Sequence, residues 1–155
     1  MILGHKDYPA GTLWDGVKRI ITSVFENRRT AVQSANSMSK DWSAGILAIQ
    51  WLFTFYPSKV ICNGPTDRQV KEIMFGEISK QFALLRERSP WPVDADCLKT
   101  KKLDFGPEWY AIGFTTKETG DMIGKFQGFK SPNMLVIISE AQAVHDEIFN
   151  QVYGI

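Results

Sequence analysis

The sequence predicts an α/β fold of three layers around a mostly parallel central sheet. Short apolar runs of β-like composition alternate with longer segments whose apolar residues recur at helical spacing. The most apolar run, Met134-Leu135-Val136-Ile137-Ile138, is uninterrupted, as expected of a central parallel strand covered on both faces. Polar residues follow three of the strand-like runs, at 34–41, 63–68 and 139–142. Ligands in open α/β sheets bind beyond the C-terminal ends of the strands, so these are the candidate functional segments.

Residues 1–12 contain Gly4, Pro9 and Gly11 and read as an irregular arm before a domain spanning 13–155. Leu13, Val17, Ile20, Ile21 and Val24 mark an amphipathic helix over 13–27. Thr30-Ala31-Val32-Gln33 reads as a short strand. Trp42, Ile46, Leu47, Ile49, Trp51, Leu52 and Phe53 make 41–55 a helix apolar on most sides, and therefore buried; Pro57 stops it. A strand over 59–63 ends at Gly64-Pro65. Thr66 is a good N-cap for a helix to about residue 88, marked by Val70, Ile73, Met74, Ile78, Phe82 and Leu85. Pro90 and Pro92 break the chain. Segments 97–105 and 109–114 flank Gly106-Pro107 and read as a hairpin or two adjacent strands. The Gly-rich stretch 115–132 reads as a long loop, and loops of that length are often functional. The strand 134–138 follows, then a last helix after Ala141.

Composition bounds the function. The 155 residues suffice for one domain with a real core, and 44% hydrophobic with 23% charged is ordinary for a soluble protein. A net charge of +1 gives no global basic field for nucleic acid. Cys62 and Cys97 have no metal-ligand spacing and read as free thiols of a reducing compartment. His5 and His145 form no motif. No apolar run reaches the roughly 18–20 residues that cross a bilayer, and the N-terminus lacks a signal-peptide block. The expectation is a soluble, cytoplasmic protein without a membrane partner.

Chemistry enters at Ser34-Ala35-Asn36-Ser37-Met38-Ser39-Lys40-Asp41. A strand, a loop of small residues ending in Lys, and then a helix is the layout of a phosphate-binding P-loop. Unpaired N–H groups and the dipole at a helix N-terminus attract anions, and Lys40 adds a full positive charge. The alternative is a Ser/Asn-rich N-cap that serves structure alone. Relative to G-x-x-x-x-G-K-[ST], Ser34 and Ser39 take the glycine positions, which restricts positive φ, and Asp41 takes the hydroxyl position. About 100 residues later, an apolar strand followed by an acid, Glu140, gives the second signature of nucleotide hydrolysis. Helix capping is its structural alternative.

Residues 13–154, about nine-tenths of the chain, resemble the ATPase domain of the large terminase subunit of tailed bacteriophages. Glu26-Asn27-Arg28-Arg29-Thr30-Ala31-Val32-Gln33-Ser34 resembles that family's approach to its P-loop. Ser39-Lys40-Asp41 stands where Gly-Lys-Thr usually does. Tyr56-Pro57-Ser58-Lys59-Val60-Ile61 and Gly64-Pro65-Thr66-Asp67-Arg68-Gln69-Val70-Lys71 resemble the next strand and its A-P-T-x-x-Q-V turn, and Glu77-Ile78 fits the helix after it. Gln127-Gly128-Phe129 and Leu135-Val136-Ile137-Ile138-Ser139-Glu140-Ala141 resemble G-F and V-I-V-D-E-A.

The resemblance implies a P-loop NTPase-like fold, incomplete at its C-terminal side, that binds ATP and Mg²⁺. It implies phosphate contacts from Ser34, Asn36, Ser37, Met38, Ser39, Lys40 and Asp41, with Lys40 and Glu140 catalytic. Ser139 replaces the family's usual Asp, so Asp41 with Ser139 would hold the metal. Thr66 is a candidate γ-phosphate sensor and Arg68 a candidate arginine finger; an N-cap and an exposed helix Arg are the plainer roles. Lys125, Gln127 and Lys130 are candidate contacts to DNA phosphates. The implied partners are double-stranded DNA, a capsid portal, a small terminase subunit and further copies in a ring, in the host cytoplasm. Two alternatives stay open: a helicase-like ATPase, and a degenerate nucleotide-fold module that binds or assembles without hydrolysis.

Overall fold

The computed structural model describes residues 13–33, 39–115, 129–144 and 146–153. The described chain is α/β, with four α-helices and a mixed five-stranded sheet. Helix α1 (Asp15–Glu26) packs on α2 (Lys40–Thr54) through Val17, Ile46, Ile21 and Trp42. After Pro57 comes β1 (Ser58–Gly64), buried at every residue. A π-helical segment, Gln69–Met74, runs into α3 (Phe75–Arg88). Strands β2 (Leu98–Lys99), β3 (Lys102–Gly106), β4 (Trp109–Thr115) and β5 (Met134–Ile138) follow, and α4 spans Asp146–Tyr153.

The strand order is β2-β3-β4-β1-β5. The run 134–138, expected to be central and covered on both faces, is instead an edge strand of the described sheet with half-buried residues, and the fully buried central strand is β1. Strands β4, β1 and β5 are parallel, with Ile61 opposite Ile112 on one side and Val136 on the other. Strands β2 and β3 pair antiparallel, and β3 pairs antiparallel with β4. The sheet is therefore mixed, not mostly parallel. The cause is the two-residue turn Pro107-Glu108 between β3 and β4, because a tight turn can only join antiparallel neighbours. A turn at Thr100-Lys101 likewise divides the expected strand 97–105 in two.

The strand expected at 30–33 does not form; these residues are irregular, and Val32 is 41% exposed. The Ser23 and Thr30 hydroxyls, 3.0 Å apart, tie the segment back to α1 instead. A four-residue run has little strand preference of its own, and pairing decides it.

Alternation along β1 fills both faces of the sheet. Val60 and Cys62 face α2 and α3, where Ala48, Ile49, Leu52, Met74, Phe75, Ile78 and Phe82 complete the main core. Ile61 faces the other way, onto Phe114, Phe129, Val136 and Val152 of α4. Burying each such side chain stabilises by about 1.5–3 kcal/mol. Phe53, expected in the core, is 42% exposed and meets Phe105 and Trp109 edge-on, 5.3 and 5.5 Å between ring centres.

Glycines set the closest approaches. A Cβ at Gly113 would lie 2.5 Å from Val70 Cγ1 and 2.6 Å from Phe75 Cε2, so the π-helical segment rests directly on β4. A Cβ at Gly45 would lie 3.0 Å from the Glu77 backbone, which brings the start of α2 against the start of α3. At the opposite end of the parallel strands, the buried Lys59 donates to the Lys130 carbonyl at 2.9 Å and pairs with Glu108 at 3.1 Å. The Lys130 backbone is thus part of the fold's closure at that end.

Candidate functional site

The parallel strands β4, β1 and β5 end together at Thr115, Gly64 and Ile138. Asn63 and Thr115 are buried polar residues at these ends. Asn63 Nδ2 donates to the Phe114 carbonyl at 3.1 Å, and its own carbonyl accepts from Ser139 N–H at 2.9 Å. The backbone on both sides of β1 is thereby fixed where β5 gives way to Ser139-Glu140.

The N-terminus of α2 comes to this edge. Ser139 and Glu140 both lie close enough to Asp41 to act on its carboxylate, the Ser139 hydroxyl favouring the charged form and Glu140 opposing it. Burial raises the Asp41 pKa above its usual value, and the Glu140 charge raises it further. Lys40 pulls it down, Glu77 pushes it up, and the Ser139 hydroxyl pulls it down. Asp41, Ser139, Glu140, Lys40 and Glu77 thus share one neighbourhood, built from α2, β5 and α3.

Both chain segments that enter the site carry backbone strain. Ser39 has φ 62° and Glu140 has φ 51°, the left-handed region that non-glycine residues avoid. Ser39 stands at the second glycine position of the P-loop pattern, and its backbone takes the left-handed conformation despite the side chain. The expectation that serine would hold φ negative there is corrected. The Ser39 carbonyl accepts from the Ser43 N–H at 2.9 Å and the Ser43 hydroxyl at 2.7 Å, which holds the turn into α2. Gln142 Nε2 donates to Glu140 Oε2 and orients that carboxylate.

The other expected residues fall elsewhere. Ser34, Asn36, Ser37 and Met38 lie outside the described residues, as do Lys125, Gln127, His5, His145 and the arm 1–12. Thr66 acts as a cap: its hydroxyl accepts from Gln69 N–H at 3.2 Å. Arg68 is 81% exposed at its side chain and pairs with Glu72 on its own helix at 3.2 Å.

Two members of the site, Gln69 and Glu77, lie in segments that carry the sequence resemblance but had no role in the site assigned from it. Glu77 faces Asp41 because Gly45 lets the two helices meet. Gln69 donates from Nε2 to Ser139 Oγ at 3.0 Å. The spacing Thr66-x-x-Gln69 is that of a capping box, and this signal marks Gln69 as a residue with a side-chain task.

Among the described residues, no three His, Cys, Asp or Glu side chains are placed to hold a metal ion together. Asp41 and Ser139 supply hard oxygen donors, the kind Mg²⁺ takes when phosphate and water complete its shell. A groove of about 410 Å³ lies elsewhere, between α1, α2 and the end of α3, lined by Ile21, Phe25, Phe53 and Leu85. No described helix is long and apolar enough to cross a membrane. Set against known protein families, curated proteins and solved structures, the chain matches none.

Proposed function

We propose that this chain is a nucleotide-binding α/β unit of the P-loop kind, the ATPase portion of a DNA-translocating motor resembling a terminase large subunit. One observation carries the proposal. Asp41 at the start of α2 and Ser139-Glu140 at the end of β5 meet at the C-terminal edge of the parallel strands, although 98 and 99 positions apart. The strain at Ser39 and Glu140 supports it, since such strain gathers at functional sites.

The chemistry follows from the residues. The N–H groups opening α2 and the Lys40 ammonium would take up phosphate charge. Asp41 and Ser139 would hold Mg²⁺, which supplies charge neutralisation on the phosphate oxygens when bound. Glu140 would orient a water and accept its proton as the water oxygen bonds to the γ-phosphorus. The bond from that phosphorus to the bridging oxygen breaks, releasing ADP and phosphate. Double-stranded DNA, a portal, a small subunit and further copies in a ring belong to the same proposal, in the host cytoplasm.

A specific observation favours a second reading, a module that binds nucleotide without hydrolysing it. Asp41 stands where a hydroxyl is usual, and its raised pKa reports a carboxylate with too little compensating positive charge. Titration with a fluorescent ATP analogue, with and without Mg²⁺, followed by a phosphate-release assay, separates the readings. Binding that Lys40→Ala abolishes supports the nucleotide site, and release of phosphate supports the motor. Absence of binding by the wild-type chain overturns both.

A further inference from the structure

We propose that Gln69 is a positioning residue of the candidate site, holding the Ser139 hydroxyl so that its proton faces Asp41. The inference rests on the nucleotide reading of that site and adds to it a residue from a third chain segment.

The geometry is directional. An amide NH₂ group can only donate, so Ser139 Oγ accepts from Gln69 Nε2 at 3.0 Å. The hydroxyl has one proton, and with the oxygen held by Gln69 that proton is left to turn to the Asp41 carboxylate beside it. The observed link is Gln69 to Ser139, across 70 positions; the proposed one runs on to Asp41. One lone pair of Ser139 Oγ remains for a ligand.

Local structure gives way to make this contact. In a complete capping box the Gln side chain returns to the N–H of the capping Thr. Here only half the box forms: Thr66 Oγ1 accepts from Gln69 N–H, while the Gln69 amide turns to β5 instead. The residue opens the π-helical segment Gln69–Met74, and such segments recur at functional sites. Gly64 makes room, since a Cβ there would lie 3.3 Å from Gln69 Cγ and 3.2 Å from Val70 Cγ2.

The test uses Gln69→Met, close in size and without a donor, and Gln69→Glu, which would accept from Ser139 and reverse the hydroxyl. Thermal melts confirm that each folds. Affinity for a fluorescent ATP analogue is measured with Mg²⁺ and with chelator. Outer partners of metal ligands typically matter by 10–100-fold, so Gln69→Met should weaken Mg²⁺-dependent binding roughly tenfold. Binding in chelator should stay unchanged, whereas Lys40→Ala weakens both, and Gln69→Glu should lose more than Gln69→Met.

A second readout is independent of nucleotide. The side-chain amide resonance of Gln69 should shift in Ser139→Ala and also in Asp41→Asn, which Gln69 does not touch. An amide signal indifferent to both variants overturns the inference, whatever the binding data show. A responsive amide with unchanged Mg²⁺-dependent affinity in Gln69→Met also overturns it, because the contact is then merely structural. Wild-type protein that binds no nucleotide defeats the functional reading and this inference with it; binding without any gain from Mg²⁺ defeats the inference alone.

Discussion

Ser39 and Glu140 stand 101 positions apart and both carry left-handed backbone beside the same carboxylate, Asp41. Among the described residues, they are the two non-glycine positions with positive φ. Each stands at a junction, Ser39 where the chain enters α2 and Glu140 where it leaves β5. The strain is placed where two segments must turn toward one point.

Ser39→Gly should stabilise the protein. Left-handed backbone costs a non-glycine residue roughly 1–2 kcal/mol, and the entropy glycine adds to the unfolded chain offsets about 0.5–1 kcal/mol of the relief. The expected net gain is roughly 0.5–1 kcal/mol, read by denaturant melts. A clear loss of stability would show that the Ser39 side chain makes a contact the fold needs.

Stability should also respond to pH through Asp41. Its folded pKa is raised by burial and by Glu140 above the model-peptide value of 3.8, so in that window the folded state binds more protons than the unfolded state. Stability attributable to this group is therefore highest below 3.8 and falls as pH rises through the raised folded value. Asp41→Asn should raise the melting temperature near pH 7 more than near pH 4. An equal effect at both pH values would contradict the raised pKa.

Glu140→Gln removes the proposed proton acceptor and keeps the size of the side chain. If the chain hydrolyses ATP, phosphate release should fall by roughly 10²–10⁴-fold, the usual worth of a general base, with nucleotide affinity held or improved. Dilute, unassembled protein should turn over slowly even before that change, because a finger such as Arg68 would act on a neighbouring copy, and lacking one costs about 10³–10⁵-fold. Turnover that stays equally fast on dilution would remove this explanation.

Gly113→Ala should destabilise by about 1–3 kcal/mol, the usual cost of overpacking a filled core. The added methyl would fall 2.5 Å from Val70 Cγ1 and 2.6 Å from Phe75 Cε2, both on buried residues with no open side to move into. Gly76→Ala, where a Cβ meets nothing within 4 Å, is the matched control and should be neutral or stabilising. Chemical denaturation of both variants checks the pair.

Much of this fold was legible in the residues, and the exceptions have physical causes. Helices α1, α2 and α3 follow from periodicity and strands β1, β4 and β5 from short apolar runs. An apolar run does not say where its strand sits, and β5 lies at the edge of the described sheet, not at its centre. Segment 30–33 has β-like residues but no partner strand, and a short run cannot hold itself extended. The orientation of β3 depends on a turn, not on its own composition. The π-helical segment has no apolar signature, since adding one residue per turn leaves the pattern readable as ordinary helix. At the site, Lys40, Asp41, Ser139 and Glu140 were marked by their places at element junctions. Gln69 and Glu77 sit inside helices, and their roles came from packing around Gly64 and Gly45.

The approach of Gly45 to Glu77 makes a lever of α2 and α3. The two helices meet there with no room for a side chain between them, which favours their moving together. If they do, a displacement of Lys40 and Asp41 should move α3 as well, whose 14 residues reach about 20 Å to its far end. There Arg86 Nε grips the Val93 carbonyl at 2.8 Å and spans the turn that presents Trp91, 77% exposed. The indole at that tip is a built-in gauge: a ligand that moves the start of α2 should register as a change in Trp91 fluorescence at the other end of the molecule.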